Sequence, residues 1–262
     1  MSESRMEGLV AIVSGAGEGI GRSCALALAR DGADVALGAR RPDQLERVAA
    51  EVRALGRRAL CVPTDIADSA RCRALVATTV GEFGRLDAVV NVAALSVDEA
   101  TVEEVSRADW ERALAVNLFG TMEVSRAALP HLRAAGGGAI VQISTLSTRT
   151  TPPRLAPYAS AKLAMLGASQ TLAREVGPDG IRVNVVVPGY VTGPHLDALF
   201  ADYAARRGVT VERVWEDAAR QSVLRRIPSP DDVAEAVVFL ASPRSGAITG
   251  IQVDVNAGLW IG

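Results

Sequence analysis

Seven short runs rich in Val, Ile, Leu and Ala recur along the chain, at residues 9–14, 34–39, 59–63, 88–91, 139–144, 182–187 and 252–255. Most are apolar throughout, so they read as strands buried on both faces rather than strands with one wet side. Longer stretches with helical spacing separate them, at 20–31, 44–55, 70–83, 111–132, 158–176 and 231–241. Buried strands alternating with helices specify a parallel sheet covered by helices on both faces and built by right-handed crossovers. The pattern predicts one doubly wound α/β domain of about seven strands over residues 1–262, with no repeat or linker to divide it. One stretch breaks the rhythm. Residues 194–226 read as a polar, partly helical excursion after the sixth strand. Such an excursion lies at the carboxyl end of the sheet, where open α/β folds bind ligands.

Charge narrows the partners. The chain has 28 Lys and Arg against 30 Asp and Glu, a formal net charge of −2. No basic excess is left to neutralise a nucleic acid or an anionic membrane surface. The three cysteines, Cys24, Cys61 and Cys72, have no metal-type spacing and cannot all pair, which suits a reducing cytoplasm. The polar start (1–8) and the short apolar run after it (9–13) do not make an export signal or a membrane span. His131 and His195 lie far apart without a cysteine or carboxylate cluster, so no metal is expected. Only 4% of residues are aromatic, so the core must be built from small aliphatic side chains and a tyrosine in a suggestive setting stands out.

Directly after the first run comes Ser14-Gly15-Ala16-Gly17-Glu18-Gly19-Ile20-Gly21, which then opens a helix. The strict G-x-G-x-x-G pattern does not fit, but glycine at 15, 19 and 21 lets the backbone turn tightly and approach a pyrophosphate held by free helix N–H groups. The second strand should end with the group that reads the adenosine ribose, an acid for NAD or an arginine for NADP. Here it ends Gly38-Ala39-Arg40-Arg41, so NADP is favoured and NAD is the alternative. Glu18 works against the choice, because a carboxylate in the glycine loop repels an extra phosphate. Asp65, after the third strand, reads either as an acceptor for the adenine amino group or as an ordinary turn residue.

Tyr158 and Lys162 stand at i and i+4 on a predicted helix, hence on one face. A fixed cation beside the phenol favours the phenolate and brings the tyrosine toward a useful range for proton exchange with an alcohol or ketone.

Taken in order, these features resemble the short-chain dehydrogenase/reductase family over essentially the whole chain. The glycine loop, Arg40, Asp65, Leu86-Asp87 leading into Asn91-Val92-Ala93-Ala94, Asn117-Leu118-Phe119-Gly120, the Tyr158 and Lys162 pair, Pro188-Gly189, and Ile248-Thr249-Gly250 with Val253-Asp254 carry the resemblance. It implies a single Rossmann-type domain and reversible hydride transfer between a nicotinamide cofactor and a carbonyl or secondary alcohol. Tyr158 would be the general acid and base, Lys162 would hold the nicotinamide ribose and lower the Tyr158 pKa, and Asn117 would anchor a water leading to solvent. Asn91 would stabilise the central strand beside the cofactor, with Ala93 next to it. Pro188, Gly189, Val191 and Thr192 would line the nicotinamide, while Gly15, Glu18, Gly19, Ile20, Gly21, Arg40, Arg41, Asp65 and Ile66 would hold the rest of the cofactor.

Three departures qualify the match. The family's Asn-Asn-Ala-Gly is Asn-Val-Ala-Ala here, so one amide and one glycine are missing. The family's catalytic Ser stands 13 residues before the Tyr, a place held by Thr145, with Ser144 as the alternative if the loop is one residue longer. Gly193 replaces the Thr found five residues after the proline, with Thr192 beside it. The first two of these support a second reading, a nicotinamide-binding sensor or regulatory subunit without turnover.

Substrate choice falls to a flap at about 190–226 and to the loop 146–157. Phe200, Tyr203 and Trp215, with Tyr190, read either as substrate-lining residues or as a small core beneath the flap. Arg206, Arg207, Arg213, Arg220, Arg225 and Arg226 read either as a receiver for an anionic tail such as a coenzyme A ester or as a solvated helix face. His195 reads as a loop residue. The helix carrying Tyr158 is apolar around most of its circumference, which predicts a homodimer or homotetramer.

Overall fold

The computed structural model describes residues 6–262; the first five residues of the polar start, read above as no export signal, lie outside them. The strands are β1 (Val10–Ser14), β2 (Asp34–Ala39), β3 (Ala59–Pro63), β4 (Ala88–Asn91), β5 (Gly138–Ile143), β6 (Ile181–Pro188) and β7 (Gln252–Val255). They form one parallel sheet in the order β3-β2-β1-β4-β5-β6-β7. The chain runs outward from β1 through β2 to β3 and then returns to β4 on the other side of β1. The crossovers on the two sides diverge at that point, which leaves a crevice over the carboxyl ends of β1 and β4.

In chain order the helices are α1 (Ile20–Arg30), α2 (Pro42–Ala54), α3 (Ser69–Phe83), α4 (Arg107–Leu114), α5 (Thr121–Ala134), α6 (Ser147–Thr150), α7 (Ala156–Val176), α8 (Pro194–Arg207), α9 (Val211–Gln221) and α10 (Pro230–Ala241). Helices α1, α2 and α10 pack with Val13, Val35 and Leu37 on one face of the sheet. Helices α3, α5 and α7 pack with Ile12, Ala36, Val89 and Ile140 on the other. Successive strand residues thus enter opposite cores, which is why these strands read as continuous apolar runs. The side chains are small, as the aromatic content requires. Leu28, Leu37 and Leu45 are wholly buried, each stabilising the fold by roughly 1.5–3 kcal/mol.

The helix read over 111–132 starts earlier and is interrupted. It runs from Arg107, opens into a π turn at Ala115–Gly120 and continues to Ala134. Such wide turns inside helices often mark functional positions, and Asn117 lies on this one. Helix α10 begins with a capping box: the Ser229 hydroxyl accepts from the Asp232 N–H, and the Asp232 carboxylate accepts from the Ser229 N–H at 2.7 Å. Pro230 follows at the first helical position, where its missing donor has no consequence. Arg226 pairs with the same carboxylate and helps hold it far below the usual range.

The excursion after β6 is more regular than its sequence suggests. It contains α8 and α9, packed around Phe200, which is 1% exposed. Tyr190 and Trp215 meet the Phe200 ring edge-on at 5.3 and 4.9 Å, and Tyr203 stacks on it at 6.3 Å. Phe200 is therefore the centre of a satellite core. The Thr192 N–H donates to the Pro228 carbonyl at 2.9 Å and ties the two ends of the excursion together.

Candidate active site

The glycine loop lies over the carboxyl end of β1. Gly15 has φ +93° and Gly19 has φ +80°, both in the region that favours glycine. A Cβ on Gly15 would overlap the backbone of Ala93, and one on Gly21 would overlap the Gly15 carbonyl. The loop is thus folded against both the Val92-Ala93 backbone and its own helix. The Val92 and Ala93 N–H groups donate to the Ser14 carbonyl at 2.7 and 2.9 Å. Helix α1 starts at Gly19 with no side-chain cap, so its first N–H groups face the crevice. Open space beside Gly19 and uncapped donors at a helix N-terminus fit a dinucleotide pyrophosphate.

Arg40 and Arg41 are exposed after β2, and neither has a carboxylate partner among the described residues. Asp65 is exposed and accepts the Ala67 N–H at 3.0 Å, the geometry of an ordinary turn aspartate. Sequence reasoning missed Gln44. It is 6% exposed and places Oε1 against Gly17 of the loop. Only its position ahead of the buried Leu45 hinted at an inward face.

At the carboxyl ends of β4 and β5, side chains stand in register across the sheet. Ser14 pairs with Asn91, and Asn91 with Gln142. Both amides donate to the Ser125 hydroxyl of α5, at 3.1 and 3.0 Å. Ser125 and Gln142 support Asn91, and neither has a spacing that marks it in the sequence.

Helix α7 begins at Ala156 with Pro157 in its first turn, and Tyr158 and Lys162 follow on one face. Lys162 is 1% exposed and donates to the Ile143 carbonyl at 2.7 Å. Burial pushes its ammonium down from 10.5 to about 8. The Thr145 hydroxyl, which hydrogen-bonds Ser147 at 3.3 Å, stands beside the Tyr158 phenol and favours its ionised form, but burial outweighs this and holds the phenol above its ordinary value. The lowered Tyr158 pKa expected from a neighbouring cation is therefore not what the chain alone produces. Both groups are desolvated, and each is pushed toward its neutral form. Ser144 is buried, and its hydroxyl makes no hydrogen bond among the described residues.

Asn117 is wholly buried on the π turn. Its amide donates to the Leu95 and Ala113 carbonyls at 2.8 and 3.0 Å, and its oxygen accepts the Leu95 N–H at 3.1 Å. The side chain clamps the segment after β4, using both amide hydrogens and one of the two lone pairs of its oxygen. Beyond β6, the Leu146 N–H donates to the Pro188 carbonyl at 2.7 Å, joining the loop after Thr145 to the start of the flap. A Cβ on Gly189 would stand 2.8 Å from that of Asn256, so glycine is needed there for close packing.

Five flap arginines are engaged with carboxylates: Arg206 with Asp202 and Glu99, Arg207 and Arg213 with Asp217, Arg220 with Glu216, and Arg226 with Asp232. Arg225 donates to the Arg220 carbonyl. Glu99 joins three segments, because its own carbonyl accepts from Arg154 at 3.2 Å. It escaped notice in the sequence because the stretch after β4 has no periodic pattern. His195 is exposed. Among the described residues, no group of three or more His, Cys, Asp or Glu could hold a metal, and no helix is long and apolar enough to cross a membrane.

Residues 15–260 match the family model described as enoyl-(acyl carrier protein) reductase. The short-chain reductase protein NovJ of Streptomyces niveus is 39% identical over 249 residues, covering 95% of this chain and 93% of that protein. The 3-oxoacyl-(acyl-carrier-protein) reductase FabG of Staphylococcus aureus is 31% identical over 252 residues, covering 96% of this chain and 98% of that protein. The crystal structure of carveol dehydrogenase from Mycobacterium avium in complex with NAD superimposes with a TM-score of 0.92 at 30% identity, covering 97% of this chain and 98% of that one.

Proposed function

The chain belongs to the short-chain dehydrogenase/reductase family, an NAD(P)-dependent oxidoreductase acting on CH–OH or carbonyl groups, and from that premise we propose that Tyr158 is its general acid and base toward a ketone or secondary alcohol. The observation that carries this reading is that Tyr158 stands beside Thr145 and one helical turn from the buried Lys162, whose ammonium is held on the Ile143 carbonyl at the end of β5. When bound, the nicotinamide supplies or accepts the hydride. In reduction the Thr145 hydroxyl donates to the substrate oxygen, and Tyr158 delivers its proton there as negative charge develops. In oxidation Tyr158 receives the alcohol proton, and the Lys162 cation stabilises the phenolate that precedes this step. Ser144, with its unpaired buried hydroxyl, is not given a step. Asn117 positions the segment after β4 over the site.

The residues that would hold the cofactor are the glycine loop from Gly15 to Gly21, Asn91 and Ala93 at the crevice floor, and the stretch from Pro188 to Thr192 at the nicotinamide end. NADP is favoured over NAD, supported by two unpaired arginines where the 2′ substituent would lie. Replacing Arg40 and Arg41 together by Ala should weaken NADP binding at least about tenfold, the loss of charge-assisted bonds to a phosphate, with little change for NAD. Titration of the two cofactors checks this, and equal losses for both would rule out a 2′-phosphate role.

The chain works as a homodimer or homotetramer in this reading, and three free cysteines suit a reducing cytoplasm. Leu163 of α7 is 43% exposed and Phe119 is 63% exposed. An apolar surface of this kind favours a second copy. Sedimentation at micromolar concentration should show an assembly, and a strict monomer would count against it.

A further inference from the structure

Three segments frame the mouth of the site: 94–106, 145–157 and 190–226. Together they hold nine acidic and eight basic side chains, and all four charges of 94–106 are acidic. Glu99 stands where the three meet. Its carbonyl accepts from Arg154, four residues before Tyr158, and its carboxylate pairs at 3.4 Å with Arg206 of α8. Arg206 pairs also with Asp202 at 2.7 Å, so its guanidinium is held on both sides. Tyr203 lies close enough to feel the Glu99 charge. Asp98 and Glu103, by contrast, are exposed and have no cationic partner among the described residues.

A substrate carried on coenzyme A or on an acidic carrier protein would bring several negative charges to this mouth. Holding it there requires cations that are free to bind them. Five of the six flap arginines are already committed to carboxylates and Arg225 to the Arg220 carbonyl, and the free charges of the 94–106 segment repel an anion. We infer that the site takes its substrate as a free, uncharged alcohol or ketone and turns away polyanionic thioesters, with Glu99 as the residue that sets this choice by occupying Arg206. The inference rests on the hydride-transfer reading above and names the substrate class for the same site.

The test is a calorimetric titration of acetoacetyl-coenzyme A into the full chain saturated with NADP, so that the nucleotide crevice is filled, at 20 and 300 mM NaCl. No saturable binding up to about 1 mM is expected at either salt, because no unpaired cation cluster faces the ligand. Saturable binding below that concentration overturns the proposal. The double variant Glu99→Gln with Asp202→Asn releases Arg206, and saturable binding should then appear at 20 mM NaCl and weaken at least about fivefold at 300 mM. A variant that folds, as judged by its circular dichroism, and still binds nothing removes Glu99 from its assigned role. The titration needs no turnover. A protein that binds NADP yet oxidises or reduces nothing in a panel of uncharged ketones and alcohols refutes the hydride-transfer reading by a separate readout.

Discussion

Replacing Tyr158 by Phe should lower kcat by about a thousandfold, within the range that a positioned general acid contributes, while the Kd for the cofactor changes by less than about threefold. The ring fills the same space, so packing at the start of α7 is kept and only the hydroxyl is lost. Thr145 still donates to the substrate oxygen, which leaves some polarisation but no proton to deliver. The change should appear equally in kcat and kcat/KM, as for an interaction made in the transition state. Nicotinamide absorbance with any ketone or alcohol the protein turns over is the measurement. Turnover retained within about tenfold would remove Tyr158 from its assigned role. Cofactor binding with no turnover in the unaltered chain would instead favour the sensor reading.

Lys162→Met should have a double effect, a loss of activity on the order of a hundredfold or more together with a more stable protein below pH 8. The buried ammonium has its pKa pushed from 10.5 to about 8 by desolvation, which corresponds to roughly 3 kcal/mol of destabilisation. The penalty is complete below about pH 8, where the lysine is charged in both the folded and the unfolded chain. Between about 8 and 10.5 the folded chain gives up its proton first, so stability rises with pH. Tyr158 works in the opposite sense and only near and above its ordinary range around pH 10, because burial keeps its phenol protonated in the folded state. The buried cysteines pull the profile of the whole chain down over the same range, so the diagnostic quantity is the stability advantage of the methionine variant over the unaltered chain, which urea unfolding of the cofactor-free proteins at pH 7, 8, 9 and 9.5 should show shrinking as pH rises. An advantage that does not change with pH would mean that the ammonium is well solvated and that its part in the site needs revision.

Much of the site was legible because its signals are local. Glycines at 15, 19 and 21 act through backbone conformation over a few residues, and the Tyr158 and Lys162 pair needs only the helical period to share a face. Arg40 and Arg41 draw attention only by their place after β2, and their part in the candidate site belongs to the proposed reading. Thr145 and Ser144 are neighbours in the chain with the same chemistry, so no local pattern separates them; the proposed reading takes Thr145 because it stands beside the Tyr158 phenol. The flap aromatics were equally ambiguous, because a ring that lines a pocket and one that fills a small core look alike until Phe200 is seen surrounded by three other rings.

The sequence by itself determined the seven strands, the helices between them, the parallel doubly wound sheet and the end of it where a cofactor belongs. Strand and helix periods are set by near neighbours, so they can be read along the chain. The tertiary structure alone decided solvation and charge. Lys162 loses its water to residues from other elements, and the Glu99 and Arg206 pair spans 107 positions of sequence. Desolvation and pairing depend on what the fold brings close, and no local pattern encodes that.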